Sequence, residues 1–201
     1  MEFTRQQREF LDHVQDRMGS VYHQVSLRTR FDLDAETVTF PLWNLSGQLK
    51  GIQIYNWKGS KEINNSSEGK YHTVAKSGPC FYGAEWLNSL VPITFISEGI
   101  FDALSLLYFG NSVAILSNDP KPLAEQLKLL PGIKVAVCDD DKAGKELIKY
   151  ADDYIICPNG KDPNDMSVKE LKNLLGKYAY ERDLYEDSFV TWWKREGKIY
   201  E

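Results

Sequence analysis

Between Ile93 and Cys157 the apolar positions fall into short runs separated by stretches of helical periodicity. The runs at 93–97, 113–117, 134–138 and 154–157 read as strands. The segments 99–109, 120–130, 142–151 and 167–175 read as helices. Strands alternating with helices of this length predict an α/β fold: a mostly parallel sheet, right-handed crossovers and helices on both faces. Pro120 and Pro122 suit a first helical turn, and Pro131-Gly132 stops that helix. Before residue 90 the pattern is different. Residues 4–18 place Phe10, Leu11, Val14 and Met18 on one helix face, with Thr4 as N-cap and Gly19-Ser20 as the end. Residues 37–57 alternate on either side of the turn Asn44–Gly47 and predict a β-hairpin. Pro41 implies that one side of its first strand lacks a full ladder partner. A long polar loop over 58–70, a short strand Tyr71–Val74 and a turn Gly78–Gly83 follow. Tyr180 to Glu201, with Leu184, Phe189, Trp192 and Trp193, reads as one more amphipathic helix. The expected division is therefore a small α+β part over 1–90, an α/β domain over 91–178 and a helical tail over 179–201.

Composition narrows the class. The chain has 201 residues, 42% of them hydrophobic, enough for real cores. No stretch approaches the ~20 apolar residues of a membrane span, and the first residues lack the apolar core of a signal peptide, so a cytoplasmic protein with no membrane partner is expected. Cys80, Cys138 and Cys157 form no Cys-x-x-Cys pair, and with His13, His23 and His72 they offer no zinc-ligand spacing. Cys138 and Cys157, in or beside apolar strands, read as reduced buried thiols. Net charge is −5. Residues 1–90 hold ten basic and ten acidic residues, and residues 91–201 hold fourteen and nineteen. The deficit thus lies in the α/β half.

Part of that deficit is concentrated at two strand ends. Phe95-Ile96-Ser97-Glu98-Gly99-Ile100-Phe101-Asp102 and Val135-Ala136-Val137-Cys138-Asp139-Asp140-Asp141-Lys142-Ala143-Gly144 each run from apolar residues into carboxylates, then a small residue, then a helix. Carboxylates at the carboxyl ends of parallel strands converge on one edge of the sheet, where open α/β folds place their sites. Asp139 and Asp141, two apart beside a strand end, point to the same side, and Asp140 points away. Several carboxylates together require a neutralising cation, and Mg2+ prefers such oxygen ligands. The bland alternatives are a helix-dipole carboxylate at Glu98, an Asp-rich capping turn at 139–141 and a plain Asp-Pro turn at Asp162. Asp119 either adds a carboxylate to this edge or caps the next helix.

Glu98-Gly99-x-x-Asp102 followed by Asp139-x-Asp141-x-x-Gly144 resembles the signature of the Toprim family, and Gly160-Lys161-Asp162-Pro163-Asn164-Asp165 is similar to the Lys-Asp-Pro-Asn segment of DnaG-type primases. Phe40, Pro41, Asn44, Gly47, Gly51, Gln53, Lys70, Tyr71, Phe81 and Gly83 resemble the segment that precedes the Toprim domain in DnaG-type and phage primases. The resemblance covers roughly residues 38–175 and implies a primase RNA-polymerase core without a zinc ribbon, of the compact kind encoded by phages or mobile elements. It implies catalysis by Glu98, Asp139 and Asp141. It implies metal binding by Glu98, Asp102, Asp139, Asp141 and Asp162, with Mg2+ or Mn2+, two ions about 4 Å apart. Asn164 stands where some bacterial primases carry a second Asp. Lys70, Tyr71 and Lys161 become candidates for nucleotide or template contact. Lys58, Lys61, Arg28 and Arg30 read either as an extension of a positive groove or, each alone, as ordinary surface charges, and Trp43, Trp57 and Tyr55 offer either base stacking or core packing. The implied partners are single-stranded DNA as template, ribonucleoside triphosphates and a replicative helicase. A Toprim nuclease and a non-catalytic DNA- or replisome-binding protein are the alternatives.

Overall fold

The computed structural model describes residues 3–63, 66–76, 78–117 and 119–181. They fall into two compact units, Met1–Glu85 and Trp86–Glu201. The helix expected in the tail lies, from residue 182 onward, outside the described residues. No described helix is long and apolar enough to cross a membrane.

The first unit opens with α1 (Arg5–Met18). Thr4 Oγ1 accepts from the Gln7 N–H, and Gln7 Oε1 accepts from the Thr4 N–H, so two of the orphan donors at the helix start are satisfied reciprocally. Phe10, Val14 and Met18 recur every fourth residue and are buried. Thr4→Ala is expected to cost about 1 kcal/mol, read as a lower midpoint in urea unfolding. A short helix α2 (Tyr22–Ser26) leads to four antiparallel strands in the order β1 (Arg30–Asp32), β2 (Thr37–Trp43), β3 (Leu49–Asn56) and β4 (Tyr71–Ala75). Alternate residues Val38, Phe40 and Leu42 of β2 are buried. Pro41 pairs with Ile52 of β3, while on its other side β1 reaches only to Thr39, so the missing N–H breaks no ladder there. The Lys70 N–H donates to the Ser60 carbonyl at 2.9 Å, drawing the polar loop's two ends together.

The second unit is α/β. Four parallel strands, β5 (Ile93–Ser97), β6 (Asn111–Ala114), β7 (Ile133–Cys138) and β8 (Asp153–Ile156), lie in the order β6-β5-β7-β8. They are joined by α3 (Ile100–Leu107), α4 (Ala124–Leu127) and α5 (Lys142–Ile148), and α6 (Val168–Glu181) follows β8. Ile93, Phe95, Val135, Val137 and Ile155 on one sheet face share a core with Leu171, Leu175 and Tyr178 of α6. The chain steps from β5 outward to β6, then crosses back over β5 to β7. The order therefore reverses between β5 and β7, and their carboxyl ends flank the crevice where open α/β sheets bind ligands.

Several boundaries differ from expectation, three of them instructively. The strand expected at 113–117 ends at Ala114. The Ile115 and Leu116 N–H groups still bond to Ser97 and Glu98, but Leu116 turns to φ 58° and stops the extended run. The helix expected over 120–130 is a 3-10 turn, Lys121–Leu123, entered through Pro120 and Pro122, plus the single turn of α4. The helix expected at 167–175 continues to Glu181, since Leu171, Leu175, Tyr178 and Ala179 maintain one buried stripe.

Candidate metal centre

Glu98 leaves the end of β5 and Asp139 leaves the end of β7, one on each side of the crevice. Asp141 follows as N-cap of α5, its Oδ1 accepting from the Gly144 N–H at 2.7 Å. One carboxylate oxygen from each of Glu98, Asp139 and Asp141 lies within 4.8 Å of the other two. Like charges this close oppose ionisation. Burial first, then the charges of Asp141 and Asp139, push the Glu98 carboxyl up to about 7. Asp139 is also raised, by burial and then by Asp141, with a smaller contribution from Asp162.

Gly144 has a steric reason. A Cβ there would stand 2.6 Å from the Asp139 carbonyl oxygen and 2.9 Å from Cys138 Sγ. Gly144→Ala is expected to destabilise by about 1–2 kcal/mol, although alanine favours a helix over glycine by ~1 kcal/mol. Thermal denaturation would check this. Cys138, just before Asp139, and Cys157 are buried, and burial raises both thiols to about 12, so they are inert packing groups.

The remaining sequence candidates take other places. Asp140 is turned to Lys145, at 2.9 Å, as its alternation with Asp139 and Asp141 requires. Asp102 lies in the first turn of α3, its Oδ2 accepting from the Gly99 N–H at 3.2 Å, and Asp162 caps a 3-10 turn at Pro163–Asp165. Neither belongs to the three-carboxylate group. Asp162 is near enough to act on Asp139. Asp119 accepts from the Lys121 N–H at 3.0 Å, two residues ahead in the turn that leads into Lys121–Leu123. The Lys161 ammonium pairs with Glu170 at 2.8 Å; this bond, then the Ser167 donors, lowers the Glu170 carboxyl to about 2.

Lys70 and Tyr71 stand at the start of β4 in the first unit. The Lys70 ammonium lies 5.9 Å from the Tyr55 ring centroid. Its pKa is lowered by burial, then by the charges of Lys61 and Arg17. Arg17 Nη1 donates to Tyr71 Oη at 3.2 Å, and His13 Nε2 shares a 2.7 Å hydrogen bond with Tyr55 Oη. Arg17 and His13 were not singled out from the sequence. Their only signal was an i, i+4 spacing on the polar flank of α1. Tyr55 is fully buried in the first unit, and Trp57, half-buried, packs against Phe10 and His13.

The fold is similar to that of primase catalytic cores. The E. coli primase catalytic core matches with a TM-score of 0.57 at 17% identity, over 88% of this chain and 72% of that one. The DnaG primase catalytic domain bound to single-stranded DNA matches at 0.52 and 19%, over 89% and 72%. The Aquifex aeolicus primase, with zinc-binding and RNA polymerase domains, matches at 0.52 and 20%, over 77% of this chain. This chain spans 45% of the Aquifex protein's length, just under half. At these identities the likeness establishes the fold, a mixed α/β architecture with a parallel sheet flanked by helices. No protein-family model and no curated protein matches the sequence.

Proposed function

We propose that the chain is a primase catalytic core that makes short RNA primers on single-stranded DNA from ribonucleoside triphosphates, with Mg2+ or Mn2+. The observation that carries this reading is the place of Glu98, Asp139 and Asp141 at the strand-order reversal of a primase-like fold. On this reading the second unit is a Toprim domain and the first is the smaller primase-type subdomain.

The residues fit a divalent cation. Glu98 Oε1 is buried and has no hydrogen-bond partner, a costly state for a carboxylate oxygen that a cation would relieve. The three donors are all carboxylate oxygens, which suit Mg2+ and Mn2+ better than soft metals. Glu98, Asp139 and Asp141 would hold the metal, with Asp162 beside Asp139. Bound there, it would lower the pKa of a primer 3′-hydroxyl and offset charge on the departing pyrophosphate. The chain's own part is to hold these carboxylates deprotonated and in place. Lys70 and Tyr71 would contact the phosphates of nucleotide or template, and Lys161 would do so by exchanging Glu170 for a phosphate. A replicative helicase is the proposed partner that directs initiation.

The test is a gel assay with single-stranded DNA, four ribonucleotides and Mg2+ or Mn2+. Short RNA products support the reading. Shortening of the DNA without nucleotides would replace it with a metal-dependent nuclease. Neither product, from a folded protein that binds metal, would leave a DNA- or replisome-binding module.

A further inference from the structure

We propose that Asp102, Asn164 and Ser105 form a clasp that positions the metal centre, and that Asp102 acts through this clasp instead of as a metal ligand. The inference rests on the metal reading of Glu98, Asp139 and Asp141. Each oxygen of the Asp102 carboxylate meets a backbone donor. Oδ2 accepts from the Gly99 N–H at 3.2 Å, and Oδ1 accepts from the Asn164 N–H at 3.4 Å. One helical turn on, Ser105 presents its Oγ on the same face of α3. It accepts from Asn164 Nδ2 at 3.1 Å and donates to the Phe101 carbonyl at 3.0 Å. The turn Pro163–Asp165 is therefore held to α3 at two points.

Both ends of the clasp lead to the metal centre. Gly99 adjoins Glu98, and a Cβ at Gly99 would stand 2.7 Å from Asp102 Oδ2, so glycine permits the approach. At the other end Asn164 sits two residues after Asp162, whose Oδ1 accepts from the Asp165 N–H at 2.8 Å and whose charge reaches Asp139. One carboxylate thus sets the position of Glu98 on one side and of Asp162 on the other. A carboxylate fixed by two backbone N–H groups gains charge-assisted bonds without a cation. The Asn164 side chain is likewise committed to Ser105.

Ser105 separates positioning from ligation, because it is not a carboxylate and belongs to no ligand group. Mn2+ affinity of the full chain would be measured by electron paramagnetic resonance, with far-ultraviolet circular dichroism to confirm folding. Ser105→Ala and Asn164→Ala are expected to weaken Mn2+ binding about tenfold, the size typical of supporting residues around a metal. Ser105→Thr, which keeps the hydroxyl, should restore wild-type affinity. Asp102→Asn, which keeps one acceptor oxygen, should weaken binding to a similar degree and not abolish it. Wild-type affinity in Ser105→Ala, or complete loss in Asp102→Asn alone, overturns the clasp. If the wild-type chain binds no Mn2+, the metal reading itself fails, and amide hydrogen exchange decides the clasp separately. Faster exchange at Gly99 and Asn164 in Ser105→Ala, reversed in Ser105→Thr, supports it; unchanged exchange overturns it.

Discussion

Asp139→Ala is expected to abolish the proposed primer synthesis, by about a thousandfold or more, the scale on which loss of a group stabilising transition-state charge acts. The same change should leave the metal-free fold at least as stable as wild type. Asp139 is only half-buried, and its carboxylate raises the energy of Glu98 and is raised by Asp141. Removing it deletes that repulsion together with a local backbone hydrogen bond and a side-chain hydrogen bond to Asp141, neither of which reaches beyond the strand end. Activity would be read from labelled RNA products and stability from thermal unfolding without metal. A variant that loses activity because it unfolds would show a lowered midpoint, which this account does not expect.

Raising the pH from 4.5 to 7 should remove the stability that Glu98 contributes to the metal-free protein, and saturating Mg2+ should reverse the effect. The sign follows from Glu98. Its carboxyl titrates at about 7 when folded and near its ordinary value of 4.5 when unfolded. Below 4.5 both states are protonated. Between the two values the folded state alone keeps the proton, so stability falls as pH rises. Above about 7 the loss is complete. After discounting for solvent screening at a partly exposed site, its size is about 1–2 kcal/mol. Mg2+ at a hundred times its dissociation constant would return about 2.7 kcal/mol. Glu98→Gln should flatten the pH dependence, stabilise the metal-free chain at pH 8 and cancel most of the response to Mg2+. Thermal unfolding at pH 4.5 and 8, with and without Mg2+, measures all of these. A wild-type midpoint independent of Mg2+ would contradict the account.

The parallel sheet and the places of Glu98, Asp139 and Asp141 at its edge were legible in the sequence because both rest on local pattern, whereas Asp102 and Asp162, expected with them, lie outside the three-carboxylate group. Apolar runs ending in Glu98 and in Asp139–Asp141 specify strand ends, and period-two alternation separates Asp140 from its neighbours. What was not legible depends on contacts between distant residues. Nothing near Asp102 indicates that Asn164, sixty-two residues on, donates to it. Nothing in α1 indicates that Arg17 reaches Tyr71, fifty-four residues on. Local pattern also overstated one helix. Pro120 and Pro122 do stand in the first turn after β6, but the apolar periodicity over 120–130 extends past the helix itself, which ends at Leu127. Leu116 was placed inside a strand on its hydrophobicity, and its positive φ, rare outside glycine, has no sequence signal at all.

The claim on which the functional reading depends is that Glu98, Asp139 and Asp141 hold one divalent cation site together. Titration of Mn2+ into the wild-type chain and into Asp139→Ala at pH 8, followed by electron paramagnetic resonance, tests it most directly. Saturable binding by the wild type that is lost in Asp139→Ala is the predicted result. Equal binding by both proteins, or by neither, would contradict it.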